Sequence, residues 1–562
     1  MKVWLKHNRY TMIRRTGELF ILAALLLVPM LSLAQETKKP NNSLLPDINP
    51  QDIEIKGDFK ATFPGLRRQP ILGFNPTSPI YQMSQNHVPY MEKPDEAVAS
   101  LPISKLENPI APKREFFTYP NSSRLYSQIG YGSDMSPEAD AYAELHPNDK
   151  TTVLGNVHFR STNGHYSNQN DSYRNFNFNL QWITKVSRNS RFGIGVKGMN
   201  DFNYRPGYAK KTEYGNVGLQ LGYEKIKNEF NEFKTHLDYH YFRYLPHVTS
   251  IESKEHVLDL AIHKTWEGHA MNSNFLANLN VQSSMYDTPV LTNESWYIVN
   301  PEVGYQWRLG YSNRVIVKAD GYYSKDLNEN KFFVYPYLKY EFWQGNKLKV
   351  TARVSGKVYN KGMQGRYLQD EMLVPQMNPL NERMLTGRVD ANYTLLHGMN
   401  LTGGFRYQKY YSFQYVRQDS LARYQLSRDT DTRMWRGYIG LSYNFVPEKV
   451  SFTTKFYLQN QQLSDGNDVP YMENDGITTE IAVRPVDKLY LKAWANYLGK
   501  RPKSTSGYLN STVILGGRIE YRIMNHIGIY VSGDNLLNKK YMMWTGYKEM
   551  PLQIFGGITL KR

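Results

Sequence analysis

From Asn121 to the C-terminus the chain repeats a period of two, apolar then polar, in run after run. Phe176, Phe178, Leu180 and Trp182 alternate with Asn175, Asn177, Asn179 and Gln181, which places the apolar groups on one face of a strand and the amides on the other. Leu348, Val350, Ala352, Val354 and Val358 alternate in the same way with Lys349, Thr351, Arg353, Ser355 and Lys357. Val450, Phe452, Phe456 and Leu458 do so against Ser451, Thr453, Lys455 and Gln459, and Leu489, Leu491, Ala493 and Ala495 against Lys492 and Asn496. No helical period competes over a comparable length.

Alternation also suits a soluble sandwich or propeller, so the connections decide. Short polar turns are expected near 147–150, 187–190, 225–231, 266–272, 310–313, 344–347, 397–400, 446–449, 485–488 and 523–526. Between them, pairs of strand-like runs flank longer polar loops, among them 361–382, 416–432, 462–474 and 534–550. Strict alternation of short turn and long loop is the pattern of an up-and-down barrel whose two rims face different solvents. Ten turns and eleven loops predict an all-β fold, a transmembrane antiparallel barrel of about 22 strands that begins with a pair at about 124–132 and 138–146. In hydrocarbon each unpaired backbone group costs several kcal/mol, so only a sheet without an edge can span it. A Lys on the lipid face near the midplane would cost about 2–4 kcal/mol, so the bases of these strands belong inside. Trp182, Trp266, Trp307, Trp343 and Tyr497, near strand ends, are expected in the interfacial girdles. The mean hydropathy of −0.58 excludes a helical membrane protein and fits a wide barrel in which every second residue meets water.

The N-terminus predicts export. Lys2, Lys6, Arg9, Arg14 and Arg15 precede an apolar stretch, Leu19 to Ala34, that closes on Ser32-Leu33-Ala34, the layout of a cleavable signal over residues 1–34. Its removal lowers the formal charge from +17 to +13, so the basic balance belongs to the mature chain. Residues 35–120 hold 13 of the 28 prolines and are expected to be extended and irregular, in the periplasm or the lumen, because Pro fixes φ and removes a ladder donor. One apolar patch within it, Gly57 to Phe74, suits docking in a lumen or on a partner as well as a tether. With no Cys in the sequence there is no disulfide, thiol nucleophile or Cys-ligated metal.

At Val531-Ser532-Gly533-Asp534-Asn535-Leu536-Leu537-Asn538-Lys539-Lys540-Tyr541 the chain resembles the penultimate-strand motif of TonB-dependent outer-membrane receptors, and Gly546-Tyr547 with the run to Leu560 is similar to that family's ending. The resemblance implies a 22-stranded barrel in the outer membrane of a Gram-negative bacterium, an N-terminal plug, and a TonB box that engages an energy-transducing partner for import of iron chelates, cobalamin or glycans. The residues ahead of the barrel depart from this pattern: they are too few and too rich in proline for the family's folded plug, and no TonB box is visible. The chain also ends Leu560-Lys561-Arg562, where the family usually ends on an aromatic residue.

Three constellations bear on chemistry. Gly193-Ile194-Gly195-Val196-Lys197-Gly198 satisfies G-x-G-x-x-G, but Phe192, Ile194 and Val196 continue the period of two, so these are strand glycines that ease packing. His236, Asp238 and His240 share one face of a strand, which suits lumen lining and could also furnish metal ligands or an acid–base pair. Asp465, Asp468, Glu473 and Asp475 crowd one loop beside Gly466 and Gly476, an oxygen-rich stretch that suits a solvated loop or a cation, without EF-hand spacing. No catalytic residue and no cofactor site is assigned. The expectation is a non-enzymatic transport or binding component of a larger uptake or export complex, a barrel without its own plug. An ungated pore and an enzyme with a loop-borne site are the rivals. The expected surroundings are outer-membrane lipid and lipopolysaccharide, with a separate plug, lipoprotein or periplasmic protein as partner and no nucleic acid.

Overall fold

A computed structural model describes residues 124–561 apart from 165–171, 204–211, 229–230, 247–251, 269–271, 328–329, 370–377, 419–423, 447–448, 505 and 547. The signal, the proline-rich segment with its Gly57 to Phe74 patch, and Tyr547 therefore lie outside the described residues. The strands follow the chain as β1 (Arg124–Gly132), β2 (Ser136–Asn148), β3 (Thr151–Thr162), β4 (Tyr173–Ser187), β5 (Ser190–Asn203), β6 (Thr212–Asn228), β7 (Asn231–Pro246) and β8 (Ser253–Glu267). Next come β9 (Ser273–Asp287), β10 (Glu294–Leu309), β11 (Asn313–Lys325), β12 (Asn330–Gln344) and β13 (Leu348–Tyr359), then the helix α1 (Gly362–Gln369). The chain continues through β14 (Glu382–Leu396), β15 (Met399–Gln418), β16 (Tyr424–Asp429), β17 (Thr432–Val446), β18 (Val450–Gln462), β19 (Asp475–Val486) and β20 (Leu489–Leu498). It ends with β21 (Arg501–Pro502), β22 (Tyr508–Leu509), β23 (Thr512–Arg522), β24 (Ile527–Asp534) and β25 (Gln553–Lys561).

Twenty-two of these strands form one antiparallel barrel, each paired with its neighbours in the chain. Closure comes where β1 meets β25, in register from Tyr126 opposite Lys561 to Gly132 opposite Phe555. The remaining three short strands belong to the long connections: β16 extends β15 beyond the barrel, and β21 pairs only with β22. All ten expected short turns fall at one rim, and the other eleven connections, most of them longer, at the other. The first strand pair stands where the sequence places it, with nine residues of β1 registered against β2.

The register carries the inside-outside alternation around the ring. Leu180, Ile194, Leu219, Leu258, Val303, Val317, Leu338, Val354, Phe405 and Ile439 are exposed on the outer face. Their sequence neighbours turn inward and join in polar rows, such as Asn177 to His158 and on to Asp140. The exterior is thus a lipid-facing surface, and the polar interior needs no helix long and apolar enough to cross a membrane; none occurs among the described residues. Glycine serves this packing at Gly198, where a Cβ would stand 2.3 Å from the Phe178 ring that leans across from β4. The G-x-G-x-x-G stretch is therefore strand throughout, with no helix following it.

The girdle expectation holds for Trp182, Trp266 and Trp307, all exposed on the outer face. Tyr497 faces the same side, opposite Ile477. Trp343 is a correction. It pairs with Lys349 on the inward face of β12 and β13, and the Arg314 guanidinium lies 5.2 Å from its ring centre. Cations on both flanks give the ring a better site there than the lipid interface offers.

Neighbouring residues in the middle of β3 test the assignment of faces, since Val157 is exposed outward and Asn156 turns inward between Tyr142 and Asn179. Val157→Lys is expected to cost about 2–4 kcal/mol in urea unfolding from lipid vesicles, and Asn156→Lys less than about 1 kcal/mol.

Candidate functional site

The connection between β13 and β14 reads as a polar loop, yet the structure folds it inward as α1. Asn360 prepares the start: its Oδ1 accepts the Gly362 amide at 2.9 Å, and its Nδ2 donates to Asn381 Oδ1 at 3.0 Å. Gly362 has φ +62°, and a Cβ there would stand 2.9 Å from a Glu255 carboxylate oxygen, so conformation and space both call for glycine. The Met363 amide then donates to Glu255 Oε2 at 2.6 Å. Glu255 belongs to β8, is fully buried, and also accepts from Ser284 Oγ at 3.0 Å and Trp296 Nε1 at 3.2 Å. A carboxylate at a helix start satisfies an amide that lacks an intrahelical acceptor and complements the helix dipole.

The other side of the helix is fixed to a distant part of the wall. Buried Arg366 donates to Glu382 Oε1 at 2.5 Å, to Gln414 Oε1 at 2.7 Å and to the Gln414 carbonyl at 3.3 Å. Glu382 opens β14 and Gln414 lies in β15, six and seven strands around the ring from β8. Between these anchors Met363 and Tyr367 are wholly buried against Tyr214, Phe242, Tyr244, Trp296 and Tyr322, inward-facing residues near the long-loop ends of β6, β7, β10 and β11. The helix therefore bridges across the lumen at its long-loop mouth. Lys361, just before it, lies 3.9 Å from Glu382. Burial outweighs the pull of that carboxylate and, with Arg366 nearby, brings the Lys361 ammonium down to about 8.

Further connections pack beside it. Leu463 and Val469, between β18 and β19, are buried against Tyr410, Phe413 and Met434. Tyr424, Tyr471 and Leu509 join with Met542 and Trp544, so that four separate connections share one aromatic cluster. Tyr424 seals it by donating to the Thr545 carbonyl at 2.6 Å.

The oxygen-rich loop does not converge. Asp465 turns its carboxylate onto the Asn467 amide, and Asp468 forms a bridge back to Gln462. Glu473 accepts from Tyr457 and Gln459, and Asp475 opens β19 with its carboxylate bonded to Tyr497. Among the described residues no group of three or more His, Asp or Glu side chains is placed to hold a metal, the face of His236, Asp238 and His240 included. Asp238 there receives Lys197 at 2.5 Å and Gln220 at 2.8 Å.

The C-terminal motif builds the connection from β24 to β25. Asn535 and Asn538 both take positive φ, a conformation that Asn tolerates better than branched residues. Buried Asn535 donates to the Lys539 and Met550 carbonyls and accepts the Lys539 amide, while Asn538 accepts the Leu552 amide. Leu536 folds back over Gly533, its side chain 2.5 Å from where a Cβ would be. Leu537 is exposed, Tyr541 accepts the Glu549 amide on its carbonyl, and Gly546 turns with φ +84°. These residues shape the loop.

The barrel has the fold of the TonB-dependent receptors. It superposes on the FrpB iron transporter from Neisseria meningitidis with a TM-score of 0.63 at 9% identity, over 79% of this chain and 82% of that one. The siderophore receptor PirA from Acinetobacter baumannii matches with a TM-score of 0.62 at 8% identity, over 78% and 80%. A ferric enterobactin receptor from Pseudomonas aeruginosa gives 0.62 at 9% identity over the same shares. No protein-family profile and no curated protein matches the sequence.

Sequence reasoning missed Glu255, Arg366, Glu382 and Gln414. The available signal was the cluster of Met363, Tyr367 and Leu368 around one arginine in a connection otherwise read as polar. Breaking a buried pair by removing one partner costs about 3–5 kcal/mol. Arg366→Met is therefore expected to free the helix while the ladder of the barrel holds. Protease cleavage within 361–381 should rise while the heat-shifted gel band of the folded barrel persists, and adding Glu382→Gln should restore part of the protection.

Proposed function

We propose that this chain is an outer-membrane transport or binding component, the barrel of a larger envelope uptake or export complex, whose mouth is obstructed by its own loops. The observation that carries this reading is α1, pinned between Glu255 on β8 and Glu382 with Gln414 on β14 and β15. An ungated diffusion pore gains nothing from a helix tied across its lumen by buried polar bonds. A barrier that opens for a partner or a ligand does. The likeness to a siderophore receptor and an iron transporter supports solute passage as the task, and the rim of short turns is the side on which a periplasmic partner would act. The oxygen-rich loop offers no assembled carboxylate site, which leaves the loop-borne enzyme without a supporting observation.

In planar bilayers the mature chain is expected to give small, noisy currents, and deletion of 361–381 to give larger, steadier steps. A large stable ohmic step from the unaltered chain would sink the proposal in favour of an open pore. Affinity capture from native envelopes should retain a defined partner, and loss of residues 35–120 should release it or raise antibiotic permeability. Neither effect would remove that segment from the mechanism.

A further inference from the structure

Among the described residues the inner wall carries many cations, and along much of it a carboxylate answers them. Lys197 meets Asp238 at 2.5 Å, Arg314 meets Glu341 at 2.5 Å, and Lys318 is paired with Glu302. Lys492 meets Glu480 at 2.9 Å, while Arg160 meets Asp534 and Arg518 meets Glu520, each at 3.2 Å. Such matching is expected where neighbouring side chains take part of a charge's hydration away.

One wall breaks the rule. Arg353 on β13 is registered opposite Arg388 on β14, Arg388 opposite Arg406 on β15, and Arg406 opposite Arg436 on β17. Four guanidinium groups thus stand in one row across four adjacent strands, and Lys455 on β18 lies within electrostatic reach of Arg388, Arg406 and Arg436. Like charges directly opposite one another destabilise a sheet. The carboxylates near them are Asp390, which is paired with Arg388 and accepts from Tyr438 at 2.7 Å, and Glu473, which accepts from Tyr457 and lies within electrostatic reach of Arg436. Among the described residues Arg406, Arg436 and Lys455 form no ion pair. Arg436 lies over the Tyr457 ring at 4.1 Å, and its Nε and Nη2 are buried without a hydrogen-bond acceptor. Arg353 is held by Tyr337.

We propose that this row is a binding site for a solute carrying two or more oxoanion groups: phosphate, sulfate or carboxylate. Three interstrand steps of about 4.8 Å spread the guanidinium groups over about 14 Å, so a single small oxoanion reaches only part of the row. Guanidinium forks take such groups in bidentate fashion, and the two orphaned nitrogens of Arg436 lack only the acceptor. Tyr438 and Tyr457, opposite each other in the adjacent row, carry their rings against Lys455 and Arg436. The inference deepens the transport reading and rests on it for the route by which the anion arrives, whereas binding is measured without transport.

The test is calorimetric titration of inorganic tripolyphosphate into the detergent-solubilised mature chain, with orthophosphate alongside. Saturable binding, at least about tenfold tighter for tripolyphosphate and weakening with salt, is expected. Arg406→Gln with Arg436→Gln should weaken it about tenfold or more, while Lys492→Gln on the matched wall changes it less than about twofold. The heat-shifted gel band reports that each variant remains folded. Absence of saturable binding, equal affinity in the double variant, or equal loss in the Lys492→Gln control would each overturn the site. Loss of binding with the bilayer behaviour intact would spare the transport reading, and the reverse result would spare the site.

Discussion

The pairing of β1 with β25 is the interaction on which the rest depends. A sheet that spans hydrocarbon cannot leave a row of amides and carbonyls unpaired, and that requirement closes the chain on itself from Tyr126 opposite Lys561 to Gly132 opposite Phe555. Side chains reinforce the seam. Gln128 donates to Glu138 at 3.0 Å and accepts from Arg518 at 2.9 Å, while Tyr530 donates to Glu138 at 2.5 Å. Bonds from β1 to β23 and from β2 to β24 thereby reach across the seam to strands three places away.

Closure divides the residues into two solvents and sets the problem the inner wall must solve. Most outward positions are apolar because lipid surrounds them, so charged and amide side chains collect inside. Most of them answer one another across neighbouring strands, as Lys197, Gln220 and Asp238 do around a single carboxylate. Such pairing yields little net stability once desolvation is counted. Its effect is to let a polar wall exist at all. The row from Arg353 to Arg436 departs from that economy, and a departure of this size in a wall otherwise matched is an indication of something bound.

Fold class, strand count and every short turn were legible in the sequence because a period of two and a run of turn residues are local signals. Val157 and Asn156 declare opposite faces with no knowledge of the strands beside them. The site was not legible, for a reason that is equally physical. Arg353, Arg388, Arg406 and Arg436 lie between 18 and 35 residues apart along the chain, and only the register across four strands brings them into one row. Trp343 shows the same limit at one residue: its place near a strand end suggested the lipid interface, and the cations of two neighbouring strands drew it inward. The helix α1 was hidden because its face is apolar toward a wall that the sequence does not place beside it.

The width that follows from 22 strands also explains why α1 needs polar anchors. A narrow barrel fills with its own side chains, whereas a wide one leaves a gap that inward side chains cannot bridge. A loop segment sent across it finds its buried aromatic contacts on one side, here Tyr214, Phe242 and Tyr322, with Val416 of β15 and Leu426 of β16 only partly buried against the same cluster. Far from that wall it must be held by directional bonds, and Arg366 supplies them with its planar fork shared between Glu382 and Gln414. Both ends carry a buried polar anchor, Glu255 at the helix start and Glu382 with Gln414 beyond it, and the packing of Met363 and Tyr367 adds to the first. The ionic hold of the obstruction thus lies on the half of the ring that also carries the arginine row.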